Sequence, residues 1–310
     1  MKRPGRGTQE NLGRLATEQP NLASAGLDLK PALEVARIIN AQDATVAGAV
    51  RRALPQIAQA IDLIANALQR GGRLIYVGAG TSGRIAALDA AECPPTFNVD
   101  PRIVQFVMAG GPAALAAALE ADEDSRSLGR REIKKRKPGR NDVVVGIAAS
   151  GRTPFTIAAL SYARSKGAKT IAVTCNRNTP LQKAAQLAIV AEVGPEVISG
   201  STRMKAGTAQ KMILNMLSSG AMARLGYVYG NLMINVPPRN SKLAARGVSI
   251  LQRAANVDTR TAQQALKAAK NSVPVALVML HAEVNRREAQ RALKSACGHV
   301  RQAIAAARSL

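Results

Sequence analysis

Across residues 31–68 apolar side chains return every three or four positions: Leu33, Ala36, Ile38 and Ile39, then Val46, Val50, Leu54, Ile57, Ile61, Ile64 and Leu68. That spacing predicts two or three amphipathic helices, closed by Gly71-Gly72. The period then changes. Residues 74–77, Leu-Ile-Tyr-Val, form a short continuous apolar run of the kind that becomes a strand buried on both faces. A glycine turn at 78–84 follows, then a helical stretch expected to stop at Pro94-Pro95. The same unit of strand, glycine turn and helix recurs at 143–145, 146–152 and 154–166. Further short apolar runs at 103–107, 170–174 and 187–190 alternate with helical segments, which predicts an α/β fold with a mostly parallel sheet wrapped by helices. A long apolar helix is expected at 209–225, and Pro237-Pro238 then interrupts the chain. Beyond it the pattern is helical only, at 244–255, 261–269 and 287–306, with polar caps opening the segments 259–269 and 285–293. The expected organisation is a loose basic arm at 1–22, an α/β domain at 23–239 and a small helical domain at 240–310.

Composition narrows the class. With 47% hydrophobic and 20% charged residues in 310, the chain is globular rather than disordered or fibrous. No stretch approaches the roughly 20 apolar residues of a membrane span, and the basic opening lacks the apolar segment of a secretory signal, so a cytoplasmic protein without a membrane partner is expected. Cys93, Cys175 and Cys297 are far apart and form no C-x-x-C pair, so neither a disulfide framework nor a cysteine zinc site is expected. The net charge of +23 would attract any polyanion. However, Trp is absent, only four Tyr and three Phe are present, and apart from a dense run at 126–140 the charge is dispersed. Little material remains for stacking bases, and nucleic acid is not expected as a partner.

The chemistry lies in a repeat, G-x-x-x-S-G-R, at Gly78, Ser82, Gly83 and Arg84 and again at Gly146, Ser150, Gly151 and Arg152. Both copies follow an apolar strand and open a helix, offering free backbone N–H groups, the positive end of a helix dipole and a hydroxyl, which is what a phosphate needs. Neither copy is a G-x-G-x-x-G fingerprint or a Walker sequence, so a nucleotide is less expected than another phosphate compound. A third stretch at 200–208, Gly-Ser-Thr-Arg-Met-Lys-Ala-Gly-Thr, suits an anion or is simply a capped helix with a basic first turn. His281 and His299 both fall in the helical C-terminal region, which leaves acid and base work to carboxylates. Glu92, beside Cys93 and Pro94-Pro95, is the first candidate if it is buried. Glu120, Asp122, Glu123 and Asp124 form an acidic cluster that spacing alone reads as a solvated helix end.

The stretches YVGAGTSGRIAALDAAECPPTF (76–97), VVVGIAASGRTPF (143–155) and GPEVISGSTRMKAGTAQKMILNML (194–217), with TEQPNLASAGLD at 17–28, resemble the N-acetylmuramic acid 6-phosphate etherases. The resemblance implies a sugar isomerase (SIS) type α/β three-layer sandwich with a small ubiquitin-associated-like (UBA-like) helical domain at the C-terminus, usually as a homodimer. It implies removal of the D-lactyl ether from carbon 3 of N-acetylmuramic acid 6-phosphate in cell-wall recycling, with no metal and no cofactor. The family's proton donor in its E-C-P-P motif corresponds to Glu92, and its second catalytic glutamate to Glu123. Phosphate and sugar contacts carry over to Gly80, Thr81, Ser82, Ser150, Gly151, Thr153, Ser201 and Thr202, while Glu196 and Lys205 match the third motif without an assigned role. Departures are Ala91 where serine is common, Asn98 where glycine is common, the stretch CNRNT at 175–179, and the basic run. A non-catalytic phosphosugar-sensing regulatory protein is the alternative reading.

Overall fold

The computed structural model describes residues 15–117, 120–235 and 241–309. Most of the expected arm and the Pro237-Pro238 interruption therefore lie outside the described residues. The early amphipathic stretch is three helices: α1 Ala32–Asp43, α2 Val46–Arg52 and α3 Leu54–Gln69. Then come β1 Leu74–Gly78, α4 Gly80–Phe97, β2 Val104–Met108, α5 Arg126–Lys135 and β3 Val143–Ile147. The alternation continues through α6 Pro154–Ser165, β4 Lys169–Thr174, α7 Pro180–Ala184, β5 Leu187–Val190 and α8 Lys205–Arg224. The sheet runs β2-β1-β3-β4-β5, and β1 with β3, β3 with β4 and β4 with β5 pair in parallel. After β1 the chain returns on one side of the sheet, to β2; after β3 it returns on the other, to β4. The neighbouring ends of β1 and β3 are thus the switch point of the sheet, where a crevice must open.

Both faces of the sheet are covered. Ile75, Val77, Val144 and Ala172 share a buried cluster with Ile133 of α5, Phe155 and Leu160 of α6 and Leu181 of α7. Alternate strand residues turn to the opposite face, where the Tyr76 hydroxyl donates to Oδ2 of Asp89 on α4 at 2.8 Å. These are the three layers expected of an α/β sandwich. At the opening of the central strands Asp142 locks the chain: its buried carboxylate accepts from Arg73 N (2.9 Å), Nε (3.0 Å) and Nη2 (2.7 Å) and from Gly139 N (2.9 Å).

Helix α4 does not stop at Pro94-Pro95 but continues to Phe97. Both prolines fall in the last turn, where they remove only the donors that would reach the carbonyls of Ala90 and Ala91. Asn98 then closes the helix in the left-handed region, φ 52°, its N–H reaching Pro94 O at 2.9 Å. Glycine adopts that conformation most easily and asparagine comes next, which accounts for Asn98 at a position where glycine is common.

The chain divides into two compact units, residues 1–89 with 105–217 and residues 90–104 with 218–310. The division thus falls at 217/218 rather than the expected 239/240, and 90–104 joins the C-terminal part. That second unit holds the antiparallel pair β6 Val228–Tyr229 and β7 Leu232–Met233 and the helices α9 Ser241–Ala255, α10 Thr259–Ala268, α11 Val273–Ala282, α12 Arg286–Ser295 and α13 Val300–Arg308. The expected single helix at 287–306 is two, broken where Cys297 (φ 51°) and Gly298 (φ 88°) turn left-handed. Between α10 and α12 the apolar α11 supplies Val273, Ala276, Leu277 and Val278 to a core shared with Leu251, Leu266, Val300 and Ala303. The caps at Asp258, accepting from Thr261 N at 2.7 Å, and at Asn285, in a capping box with Glu288, start α10 and α12 as the sequence suggested.

Replacing Asp142 by Ala leaves two backbone donors and the Arg73 guanidinium without their acceptor at the root of β1 and β3. Because Arg73 is part-exposed and can recover water, the expected loss is about 2–3 kcal/mol, read as a lower urea midpoint with unchanged slope.

Candidate active site

The first glycine turn joins β1 to α4. The N–H of Gly83 is the first to bond back along the chain, to Ala79 O at 3.1 Å, so those of Gly80, Thr81 and Ser82 have no partner within the helix. Gly80 takes φ +51°, and a Cβ placed on it would stand 2.9 Å from Oε1 of Glu123. The second turn joins β3 to α6: Ser150 Oγ accepts from Arg152 N at 3.2 Å, Thr153 stands at the N-cap position, and Pro154 opens the helix. Gly151 is constrained by packing and is not among the residues that line the cavity around Glu123. Its φ is +66°, and a Cβ there would fall 2.3 Å from Thr179 Oγ1.

Glu123 bridges the two turns. Its carbonyl accepts from Phe155 N in the first turn of α6 at 3.0 Å, while its carboxylate lies against Gly80 at the start of α4. Around it opens a cavity of about 450 Å³ lined by Gly80, Thr81, Ser82 and Arg84 from the first turn, Ser150 and Thr153 from the second, and Glu18, Glu123 and Thr202. Two helix starts with hydroxyls can hold a phosphate, and carboxylates beside them can move protons or take hydrogen bonds.

Gly80, Thr81, Ser82, Glu123, Ser150, Thr153 and Thr202 are therefore brought together as the sequence suggested. The other expected site residues are placed differently. Ser201, half-buried, is not among the lining residues; its backbone builds the turn before α8, its N–H reaching Ile198 O at 2.9 Å. Glu196 and Lys205 are buried and also absent from the lining. Glu196 instead caps α8, accepting from Lys205 N and Ala206 N at 2.9 Å each, while Lys205 Nζ donates to Gln42 Oε1 at 3.1 Å. Burial raises the pKa of Glu196 above the usual glutamate range despite those two N–H groups and the Lys205 charge, and burial lowers that of Lys205. The neighbouring Cys175 thiol is pushed up to about 12, chiefly by burial and secondarily by Glu196, so it is no nucleophile. Glu92 is exposed on α4, so the burial on which its candidacy by sequence setting was conditional is absent, and it is not part of the cavity lining.

Two lining residues escaped the sequence reading as site members. Arg84 closes the first repeat and donates to Leu115 O (3.2 Å) and Ala117 O (2.8 Å), tying the 111–117 segment to α4. Its place in the repeat was the available signal. Glu18 lies in a stretch without periodicity, within the arm expected at 1–22; residues 15–18 are instead held by the buried Leu15 and Thr17. Among the described residues no three His, Cys, Asp or Glu side chains gather as a metal site.

Two family models match: one described as the SIS domain over residues 137–219, and one described as the Glucokinase regulatory protein N-terminal SIS domain over residues 56–164. With the parallel sheet and its two glycine turns, they make this an SIS-domain protein. N-acetylmuramic acid 6-phosphate etherase 1 of Bacillus licheniformis is 48% identical over 270 residues, 87% of this chain and 89% of its own. The etherase of Vibrio vulnificus is 50% identical over 270 residues, 87% and 90% of the two chains. That of Photorhabdus laumondii is 47% identical over 298 residues, 96% and 99%. The chain belongs to the N-acetylmuramic acid 6-phosphate etherase family. Among solved structures, a phosphoheptose isomerase from Francisella tularensis matches with TM-score 0.47 and 19% identity, covering 59% of this chain and 95% of its own.

Burial holds the Glu196 proton more tightly than the unfolded chain does, so that contribution to stability is complete below about pH 4 and is lost as pH rises through the raised value. Glutamine has no such proton to lose. The Glu196→Gln variant is expected to be less stable at acid pH by about 1–3 kcal/mol, having one acceptor for two N–H groups. Its deficit should shrink as urea melts move upward from about pH 4. A deficit independent of pH contradicts the buried acid.

Proposed function

We propose that the chain is a carbon–oxygen lyase that cleaves the D-lactyl ether of N-acetylmuramic acid 6-phosphate, giving N-acetylglucosamine 6-phosphate and D-lactate in amino-sugar recycling. The observation that carries this reading is the pairing, in one cavity, of two helix-start phosphate cradles with the Glu123 carboxylate. The phosphate sits on the N–H groups and hydroxyls of Thr81, Ser82, Ser150 and Thr153, with Thr202 toward the sugar. An ether resists direct hydrolysis, but once the ring opens the aldehyde at carbon 1 acidifies carbon 2. A carboxylate removes that proton, an acid protonates the oxygen on carbon 3 as the C–O bond breaks, and water adds across the resulting double bond. Protons balance over the cycle, and no redox step is needed. Glu123 serves one of these transfers from within the cavity, and Glu92, assigned by the E-C-P-P motif, serves the other. The chain works in the cytoplasm as a homodimer, as the resemblance implies, and among the described residues no helix is long and apolar enough to cross a membrane.

The alternative of a phosphosugar-sensing regulator finds a relative in the Glucokinase regulatory protein model. It is not favoured, because relatives near 50% identity are named etherases and a sensor has no use for a proton-transferring Glu123.

Proton transfer by a positioned side chain is worth about 10²–10⁴-fold. Glu123→Gln and Glu92→Gln are each expected to slow D-lactate release from N-acetylmuramic acid 6-phosphate by that factor. A folded wild type that binds the sugar phosphate and releases no lactate would instead favour the sensor.

A further inference from the structure

The cavity holds a second carboxylate whose purpose the reaction leaves open. Glu18 ends a single 3-10 turn, Ala16–Glu18, in a stretch of sequence with no helical or strand period. Long-range bonds fix that stretch. The Thr17 side chain is fully buried, and its Oγ1 accepts from Asn176 Nδ2 at 3.1 Å; the same Nδ2 donates to the carbonyl of Ala149, a residue of the second turn that lines the cavity. Further along, Asn21 Nδ2 donates to Pro195 O at 3.3 Å and Ser24 Oγ to Val197 O at 2.7 Å. Glu18 itself crosses the turn that carries Gly200: a Cβ at Gly200 would stand 3.1 Å from Glu18 Oε2. No described residue gives its carboxylate a hydrogen bond or an ion pair. A carboxylate that lines the cavity from an anchored stretch of backbone, against Gly200 and with its acceptors unused, is positioned for a ligand.

What that ligand presents follows from charge. A carboxylate repels the phosphate and the lactyl carboxylate of the substrate, so Glu18 cannot face either. Left unpaired on closure it would resist losing its water. It is satisfied by O–H or N–H donors, which the sugar's free hydroxyls and amide supply.

We propose that Glu18 is a specificity-determining residue that accepts hydrogen bonds from the neutral donor groups of the sugar, while the helix starts hold the phosphate. This rests on reading the cavity as a phosphosugar site but not on turnover. A site built to hydrogen-bond a donor rejects ligands that lack it far more strongly than an apolar pocket rejects a missing methylene.

Calorimetric titration of the wild type, Glu18→Ala and Glu18→Gln with N-acetylglucosamine 6-phosphate and with inorganic phosphate tests this without requiring catalysis. Glu18→Ala is expected to weaken the sugar phosphate by about 10–100-fold while inorganic phosphate binds as well as or better than before. Glu18→Gln, which keeps an acceptor, is expected to recover most of the sugar affinity. In turnover, KM should rise in Glu18→Ala with kcat nearly unchanged. Equal weakening of both ligands, no weakening at all, or a glutamine variant as poor as alanine each overturns the proposal. Failure of lactate release in the wild type, with these affinities intact, would instead count against the lyase reading alone.

Discussion

Everything at this site depends on backbone N–H groups that the fold leaves unpaired. The first turn of α4 points unpaired donors at the carboxyl end of β1, while α6 opens at the end of the adjacent β3 with Pro154 and with Phe155 N already bonded to Glu123 O; from these two strands the chain departs in opposite directions. Nothing within a helix can satisfy those donors. Holding both helix starts this close to the strand ends is what the glycines do: a Cβ at Gly78 would lie 2.8 Å from Gly83 N, and one at Gly151 would meet Thr179. The repeated motif is therefore a packing requirement first, and anion binding follows from it.

The third wall is held by a different device. Glu196 is taken out of water to cap α8, with burial outweighing the two N–H groups and Lys205 in setting its proton affinity. A buried carboxylate is a costly way to start a helix, but it fixes the α8 start from the protein side, whereas α4 leaves its first N–H groups to the cavity. The same polar core reaches the N-terminal segment, since Gln42 Oε1 accepts from both Lys205 Nζ and Asn21 Nδ2. The turn bearing Thr202 and the turn bearing Glu18 are thus tied to one network.

Features legible in the sequence are those whose cause is local. The strand, glycine turn and helix units, the polar caps at Asp258 and Asn285 and the parallel sheet follow from period and turn chemistry. Glu123 rose above a solvated acidic cluster only through the family resemblance, because its place is made by a contact with Gly80 far away in sequence. Glu196 and Lys205 came forward only through the family resemblance, without a role, because a polar motif looks the same in sequence whether it faces a cavity or the core. The proline pair suggested a helix end, but the two lost donors fall in a last turn that the left-handed Asn98 can close. The basic run at 126–140 hid the helix α5, whose Glu132 pairs with Lys135 at 2.7 Å and, more loosely, with Arg131. Glu18 had no periodic signal at all, since bonds that anchor its stretch to the second turn and to residues 195–197 come from more than a hundred positions away.

Two carboxylates in an anion-binding cavity would seem a contradiction, and magnitude resolves it. Unit charges about 4 Å apart interact by roughly 1 kcal/mol in water and roughly 4 kcal/mol at the effective dielectric of a protein site. A carboxylate touching the phosphate would cancel much of what a helix start contributes, about 0.3–2 kcal/mol. In the proposed reading the phosphate therefore seats on the N–H groups, with both glutamates facing the remainder of the sugar. A carboxylate against Gly80 and pinned at α6 is fixed between the two phosphate cradles, where a proton can be taken or returned as the sugar is held. One that follows the Thr17 anchor and crosses Gly200 lies beside the turn that carries Thr202, where, as proposed, it receives hydrogen bonds. In that reading the phosphate contacts orient the sugar, and the orientation gives two chemically identical side chains different work.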